Sequence, residues 1–320
     1  TAKNVSREQR SRRGSSDSRS SSAEQRSSSK AARREIAALK VAPEMERYIA
    51  WLIDAGIHGL YPNGSTGEFV RLSSEERRDV VRLIADVNQG RVPILAGASE
   101  ANVRDVLQMA QYYADLGADA ISLVPPYYYK ISDTSLYEYF AEIARNSPLD
   151  ILLYNIPQFT QELPLEIMEE LLAFDKIFGT KDSSRDLPRI INTMQRLRKH
   201  RPDYVVLNGC EEILLPSIIM GANGGTIATS GIIPEIIVEL YDRTLAMDLD
   251  RARELQYRIL PLINLMLLGV NFPKISSPKA NQCHLKTTLN GLSGSDYFGK
   301  ETSHHEGKSE KVRFKNWFKC

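Results

Sequence analysis

A lysine stands at the end of one of the short apolar runs of the sequence. Lys181 follows the run KIFGT, and burial at the end of such a strand disfavours the charged ammonium form because it removes water. A lysine amine that becomes nucleophilic in this way can form a Schiff base with a carbonyl compound. A second interpretation stays equally open, in which the ammonium group forms an ion pair with a carboxylate such as Asp182.

The stretch GSTGE, residues 64–68, follows the run GLYPN and precedes a helix with a capping residue. Gly64 allows close backbone approach, while Ser65, Thr66 and the neighbouring amides can donate hydrogen bonds to an anion such as a carboxylate. A lone glycine-rich loop is a weak signal, because an ordinary tight turn whose hydroxyls cap the helix has the same composition.

Apolar runs that alternate with helical spacers supply the elements that must position these residues. One spacer begins with a capping serine, Ser73 or Ser74, another ends at the helix-stopping Gly117, and a third has Pro164 near its start. Strands that alternate with single helices predict right-handed crossovers and a parallel sheet. The seven runs that we predict as strands cover residues 56–64, 92–99, 119–126, 150–157, 176–184, 204–212 and 224–231.

A parallel sheet either closes into a barrel or stays open between two layers of helices. Polar residues follow most of the runs, and in a barrel these strand ends meet at one face, where active sites are built. An open sheet would concentrate them at one switch point, and no run is followed by a glycine motif of the nucleotide-binding type. We therefore predict an α/β fold of the (β/α)8 TIM-barrel type.

The charge of the chain is nearly balanced, with 41 Lys and Arg residues against 40 Asp and Glu residues. This balance argues against nucleic acid and anionic membranes as partners. No apolar run approaches the roughly 18–20 residues that span a bilayer. The cysteines, Cys210, Cys283 and Cys320, show no metal-binding spacing and leave an odd thiol, so we expect no metal site and a cytoplasmic location.

Composition divides the chain into three parts. Residues 1–31 are mostly Ser, Arg, Gln, Lys and Glu and predict a disordered segment. This segment is either an RS-like arm that binds RNA or a solvated tail, and we favour the tail. Residues 32–274 are predicted to form the TIM-barrel catalytic domain, and residues 275–320 an atypical C-terminal tail with little regular structure.

Four motifs in a fixed order add a resemblance to these patterns. GSTGEF, PPYYY, YNIP and GTKDSS together resemble the dihydrodipicolinate synthase/N-acetylneuraminate lyase superfamily, over about residues 43–273. The resemblance implies a (β/α)8 barrel and a class I aldolase or lyase, usually a homotetramer. It implies a lysine Schiff base to pyruvate or another 2-oxo acid, and no metal or organic cofactor. At both ends the chain departs from the family, so that the first strand and the C-terminal helices are atypical or missing.

The resemblance also implies roles for individual residues. Lys181 would form the Schiff base, and Ser65 and Thr66 would hold the carboxylate of the 2-oxo acid. Tyr154 would move a proton between the substrate hydroxyl and the bound carboxylate. Tyr128 resembles an aromatic residue that reaches across a subunit pair to complete a proton relay, although a stacking role in the YYY cluster is an equal alternative.

The substrate depends on residues around this centre. The synthase branch has an arginine shortly after YN-x-P to bind a second carboxylate, whereas this chain reads YNIPQFTQE. The stretch NGCEE places Gly209, Glu211 and Glu212, with Thr229 nearby, where sugar-acid branches bind a polyhydroxylated chain. Glu211 and Glu212 fit equally well as first-turn acids of the following helix.

These observations predict an enzyme that cleaves a 2-keto-3-deoxy sugar acid, or an N-acetylneuraminate-like substrate, to pyruvate and an aldehyde. The enzymatic alternative is a dihydrodipicolinate synthase that condenses pyruvate with aspartate semialdehyde. The alternative of another class is a catalytically inactive barrel that acts as a binding or scaffold protein.

Overall fold

The computed structural model describes residues 43–268, with side chains up to residue 266. The chain divides between Ile49 and Ala50 into two units. Residues 43–54 form helix α1, and after it the chain alternates between strands and helices.

The predicted end segments fall outside this range. The Ser/Arg-rich segment 1–31, the atypical first strand before residue 43 and the tail 275–320 lie outside the described residues.

The strands of the second unit form one parallel sheet. Their order in the sheet is their order in the chain, and every neighbouring pair is parallel. Successive βαβ crossovers produce this arrangement. The six strands are β1 (Leu95–Gly97), β2 (Ala120–Leu123), β3 (Asp150–Asn155), β4 (Ile177–Asp182), β5 (Val205–Asn208) and β6 (Gly224–Gly225).

The remaining predicted run, residues 56–64, lies beside β1 but contributes only an isolated parallel bridge between Leu60 and Ile94. Leu60 exchanges backbone hydrogen bonds with Pro93 and Leu95. Pro62 accepts one from Gly97 but has no amide hydrogen to donate in return, which interrupts the ladder. The prediction of an α/β fold with a parallel sheet is confirmed, with six strands within residues 43–268.

Helices follow the strands as the spacers predict. Among residues 43–268, no helix combines the length and apolar composition of a membrane span. The helices after α1 are α2 (Ser74–Asn88), α3 (Val103–Asp115), α4 (Asp133–Asn146), α5 (Leu165–Glu170), α6 (Leu187–His200), α7 (Leu214–Ile219), α8 (Pro234–Leu245) and α9 (Leu249–Leu268).

Local signals set the helix ends. Ser73, rather than Ser74, caps α2: its side chain accepts from the Glu76 amide while the Glu76 carboxylate accepts from the Ser73 amide. Pro164 is the N-cap of α5. Gly117 follows the end of α3 with φ of 82°, the left-handed conformation that glycine adopts without strain.

One apolar cluster fills the space between the strands. Its members come from five neighbouring strands, and Tyr61 packs against it. Such an apolar cluster excludes water from the side chains next to it on the same face of the sheet. The buried members are Leu95, Ala120, Leu152, Phe178, Val205 and Leu207.

An irregularity in the pairing of β3 with β4 lies just before Lys181. Ile151 pairs with Ile177 but Leu152 pairs with Gly179, so β4 carries one extra residue. A Cβ atom at position 179 would lie 2.4 Å from the Val205 carbonyl oxygen. Glycine at this position therefore lets β4 and β5 approach each other.

We expect Gly179→Ala to lower the free energy of unfolding by about 1–3 kcal/mol, because the added methyl group overlaps the β5 backbone. Urea unfolding measures the change. Gly59→Ala is the matched control, since its Cβ would lie 3.4 Å from its nearest neighbour, the Pro93 carbonyl oxygen. Equal free energies of unfolding of the two variants would contradict the close contact between Gly179 and the β5 backbone.

Candidate active site

The amine of Lys181 lies between two tyrosine rings. In the sheet Lys181 pairs with Tyr154 of β3, which places both side chains on the same face. Only 6% of Lys181 is exposed. Its Nζ lies 4.2 Å from the centre of the Tyr154 ring and 4.9 Å from the centre of the Tyr61 ring. Both distances are within the range of cation–π contacts.

The alternative ion pair between Lys181 and Asp182 is wrong. Adjacent residues of a strand point to opposite faces, and the Asp182 carboxylate has other partners. It accepts hydrogen bonds from Asn155 Nδ2 at 2.9 Å, from the Ser184 amide at 2.8 Å and from Arg189 Nε at 3.1 Å. Within the described part of the chain, no carboxylate lies at ion-pair distance from Lys181.

Two serine hydroxyls lie beside the phenol of Tyr154. Ser65 Oγ lies 3.4 Å from the Tyr154 hydroxyl, and Ser183 Oγ lies 3.5 Å from it. Tyr154 is buried. An amine, a phenol and two alcohols thus converge at the carboxyl ends of β3 and β4. A chain of hydroxyl groups next to an amine can pass protons to and from a bound molecule.

Asn63 fixes the loop that carries Ser65. Its side-chain amide donates to the Arg77 carbonyl and to the Tyr113 hydroxyl, both at 3.0 Å. The Asn63 backbone crosses β1 so closely that a Cβ at Gly97 would lie 2.2 Å from the Asn63 carbonyl oxygen. The loop is therefore held on one side by buried hydrogen bonds and on the other by direct backbone contact.

The other predicted residues of the loop differ in exposure. A Cβ at Gly64 would lie 3.3 Å from the Tyr61 ring, so this glycine lies against the site. Thr66 is exposed. The structure therefore brings Ser65 to Tyr154 and leaves the Thr66 side chain at the surface of the loop.

Gly209 packs directly on the lysine. A Cβ at this position would lie 1.9 Å from Ser183 Oγ and 2.8 Å from Lys181 Cε. The absence of a side chain at position 209 is what allows the Lys181 and Ser183 side chains to occupy this space.

Glu211 and Glu212 lie in a short 3₁₀ turn, Glu211–Ile213, ahead of α7, and the first turn of α7 itself holds no acidic residue. Glu211 is buried, and its Oε1 accepts a hydrogen bond from the Thr229 amide at 2.9 Å. Glu212 forms an ion pair with Arg185 at 3.1 Å. Glu211 thus has a structural role that links this turn to the segment after β6.

Two polar atoms beside this turn have no hydrogen-bond partner within the described residues. They are the hydroxyl of Thr229 and Oε2 of Glu212, and both atoms are buried. Buried polar atoms are nearly always paired in folded proteins. A hydroxyl group can donate to a carboxylate oxygen such as Oε2 and can accept from a threonine hydroxyl.

Tyr128 lies apart from the lysine cluster, which consists of Lys181, Tyr61, Tyr154, Ser65 and Ser183. It is 89% exposed, its φ of 87° is unusual for a side chain of this size, and its ring contacts Tyr129 with centroids 4.7 Å apart. In the described chain no hydrogen bond or ring contact joins Tyr128 to Lys181 or Tyr154. The stacking alternative accounts for Tyr128 within one chain.

A family model described as the dihydrodipicolinate synthetase family matches residues 40–281. The chain belongs to this family. The match covers most of the chain, and it includes every residue of the lysine cluster. Family members are lyases and synthases, so the prediction of an aldolase or lyase scaffold is confirmed at this level.

A relative from Methanopyrus kandleri, named 4-hydroxy-tetrahydrodipicolinate synthase, is 36% identical over 229 residues, which are 70% of this chain and 74% of the relative. Among solved structures, the chain is similar to the prophage protein YagE of E. coli in complex with pyruvate, with a TM-score of 0.73 and 28% sequence identity. The aligned part covers 78% of this chain and 92% of the YagE chain. The 2-keto 3-deoxygluconate aldolase of Picrophilus torridus has a TM-score of 0.68 and 28% sequence identity. The aligned part covers 78% of this chain and 87% of the aldolase chain.

Two residues of the candidate site, Tyr61 and Ser183, were not predicted from the sequence. Tyr61 lies in the quoted run GLYPN, but an aromatic residue in an apolar run is also ordinary core. Ser183 lies two residues after Lys181 in GTKDSS, where alternation along a strand puts it on the same face. That spacing was a usable signal for Ser183, whereas the ring of Tyr61 required the three-dimensional structure.

Cys210 is a buried free thiol next to Gly209. Burial raises the pKa of this thiol to about 11, because the thiolate loses its hydration. The Cys210 thiol is therefore mostly protonated near neutral pH. Within residues 43–266, no group of three His, Cys, Asp or Glu side chains is arranged to hold a metal ion.

We expect iodoacetamide at pH 8 to leave Cys210 unmodified in the folded protein, because the attacking thiolate is scarce well below its pKa. In urea the thiol pKa returns to about 8.5, and Cys210 should react readily. Mass spectrometry of the Cys210 peptide measures both states. Equal rates of modification in the folded and unfolded protein would contradict the expected burial and pKa.

Proposed function

We propose that the protein is a class I aldolase that forms a Schiff base between Lys181 and pyruvate. Its reaction is cleavage of a 2-keto-3-deoxy sugar acid, or of an N-acetylneuraminate-like substrate, to pyruvate and an aldehyde. The supporting observation is the buried Lys181 amine, which has no carboxylate partner in the described chain and lies between two tyrosine rings. A structural lysine at such a position would be expected to pair with a carboxylate.

In the proposed reaction the Lys181 nitrogen attacks the keto carbon of the substrate. A carbon–nitrogen bond forms, the keto oxygen leaves as water, and the product is a protonated imine that withdraws electrons from the neighbouring bonds. Tyr154 then accepts the proton of the substrate hydroxyl as the carbon–carbon bond breaks. The hydroxyl of Ser65 and the backbone amides of the loop, including that of Thr66, hold the carboxylate of the 2-oxo acid.

The choice of a sugar acid rests on residues around the lysine. The Thr229 hydroxyl and Glu212 Oε2, which have no hydrogen-bond partner among the described residues, suit the hydroxyl groups of a sugar chain. After the YNIP element, Gln158 donates to the Ser183 carbonyl at 2.9 Å and Phe159 is exposed, so this stretch offers no cation for a second carboxylate.

A dihydrodipicolinate synthase is the second candidate, because curated relatives, including the one from Methanopyrus kandleri, carry that name. The synthase would condense pyruvate with aspartate semialdehyde at the same lysine. The missing arginine after YNIP counts against it, since the carboxylate of that aldehyde would lack the predicted partner.

We further infer that the parallel sheet is part of a complete (β/α)8 barrel and that the enzyme is a cytoplasmic homotetramer. The sequential order of the strands and the TM-score of 0.73 to YagE support the barrel. The exposed Tyr128 and Tyr129 pair is compatible with a subunit contact, where Tyr128 would be available to a neighbouring site.

Incubation with pyruvate and sodium borohydride should add a stable adduct to Lys181, because borohydride reduces the imine to a secondary amine. Peptide mass spectrometry locates the adduct. Lys181→Met should abolish it, whereas Lys176→Met, which removes a partly exposed lysine just before the same strand, should leave it unchanged. Tyr154→Phe should retain the adduct but lower turnover about 10²–10⁴-fold, because it removes only the proton carrier.

The absence of an adduct from folded wild-type protein would overturn the proposal and favour the inactive-barrel alternative. Full activity of Tyr154→Phe would show that the phenol does not transfer the proton.

A substrate panel separates the two enzymatic candidates. We expect pyruvate release from 2-keto-3-deoxy sugar acids or N-acetylneuraminate, coupled to lactate dehydrogenase for detection, and no condensation with aspartate semialdehyde. Installing the missing cation through Phe159→Arg, with Phe159→Gln as the uncharged control, should improve use of the acidic aldehyde if it binds there. Condensation by the wild-type enzyme without sugar-acid cleavage would instead identify a synthase.

A further inference from the structure

Among residues 43–266, Tyr61 is the one aromatic neighbour of Lys181 without a role in the proposed reaction. Its hydroxyl donates to Ser122 Oγ at 3.0 Å, and Ser122 is a fully buried residue of β2. Burial and the neighbouring Tyr154 raise the pKa of Tyr61, which keeps the phenol neutral. This hydroxyl is committed to a structural hydrogen bond, so the group that Tyr61 presents to Lys181 is its ring.

Two contacts hold the Tyr61 ring in a defined orientation. The ring packs against the apolar cluster between the strands. It also meets the Tyr154 ring at an interplanar angle of 67°, with centroids 6.4 Å apart. Its centre lies 4.9 Å from Lys181 Nζ. The rings of Tyr61 and Tyr154 therefore both lie against the Lys181 amine.

Imine formation places a positive charge on this nitrogen. The neutral amine, whose lone pair attacks the keto carbon, carries no charge; the carbon–nitrogen bond forms, water leaves, and with one proton taken up the product is an iminium. In the described chain no carboxylate lies at ion-pair distance to balance it. The negative potential above an aromatic ring is then the available source of stabilisation, and it acts strongly in a site that excludes water.

We propose that the ring of Tyr61 stabilises the iminium that Lys181 forms with a 2-oxo acid. This inference rests on the proposed Schiff-base chemistry and adds a residue to it. Tyr154 offers a second ring, but its hydroxyl also contacts Ser65 and Ser183 and serves proton transfer, so substitutions at Tyr154 mix two effects. Tyr61 separates the effect of the ring from that of the hydroxyl.

The experiment measures the pyruvate concentration that gives half-maximal borohydride trapping on Lys181. Tyr61→Leu, which removes the π face, should raise this concentration about tenfold, the order expected for a desolvated cation–π contact. Tyr61→Phe keeps the ring and should remain within about threefold of wild type. Rescue by phenylalanine, but not by leucine, is the signature that distinguishes charge stabilisation from loss of the Ser122 hydrogen bond.

Tyr204→Leu is the matched control for general damage to the core. Tyr204 is fully buried at the amino end of β5, and its ring makes no contact with Lys181. Trapping by this variant should match wild type once it is normalised to the folded fraction from near-ultraviolet circular dichroism. A tenfold rise here as well would assign the Tyr61→Leu effect to core damage and overturn the inference.

A fluorinated phenylalanine at position 61 tests the charge effect even if Tyr61→Leu fails to fold. Fluorination keeps the shape of the ring and withdraws the negative potential from its face. Compared with Tyr61→Phe, this protein should need about tenfold more pyruvate. Equal trapping by the two would overturn the inference while leaving the Schiff-base proposal intact, whereas no trapping in wild type would overturn the Schiff-base proposal itself.

Discussion

A buried amine without a counter-ion in the described chain is the constraint around which this site is built. Removal of water from an ammonium group costs several kcal/mol unless other groups replace the lost hydration. At Lys181 these groups are the faces of Tyr61 and Tyr154, and the nearby Asp182 carboxylate is engaged by Arg189 and Asn155 on the other face of the strand. This environment supports the proposed reactive role of Lys181, because a structural lysine at a buried position would be expected to pair with a carboxylate.

Close backbone packing makes room for this amine. The missing side chain of Gly97 lets the backbone before the Ser65 loop pass close to β1. Gly179 lets β4 approach β5, and Gly209 leaves space for the Lys181 side chain. The extra residue that β4 carries before Lys181 adjusts the pairing so that Lys181 and Tyr154 lie side by side. A side chain at any of these three glycines would meet backbone or site atoms at less than a van der Waals distance.

Much of this arrangement could be predicted from the sequence, because strand ends and helix caps are local signals. Lys181, Tyr154 and Ser65 each stand at the end of an apolar run, and parallel strands bring such ends together. The ring contacts of Tyr61 and the Glu211 bond to the Thr229 amide were not predictable, since they join residues far apart in the chain. The exclusion of an ion pair between Lys181 and Asp182 likewise required side-chain orientation, because the Asp182 carboxylate accepts from Asn155 and Arg189 on the other face of β4.

The proposed function depends on one covalent bond, between Lys181 and the 2-oxo acid. A crystal structure of the protein with pyruvate tests it most directly. The predicted result is continuous electron density between Nζ of Lys181 and the keto carbon of pyruvate, with the rings of Tyr61 and Tyr154 against the new bond and the pyruvate carboxylate at the Ser65 loop. Intact pyruvate bound away from Lys181, or a Lys181 ammonium paired with a carboxylate, would contradict the account.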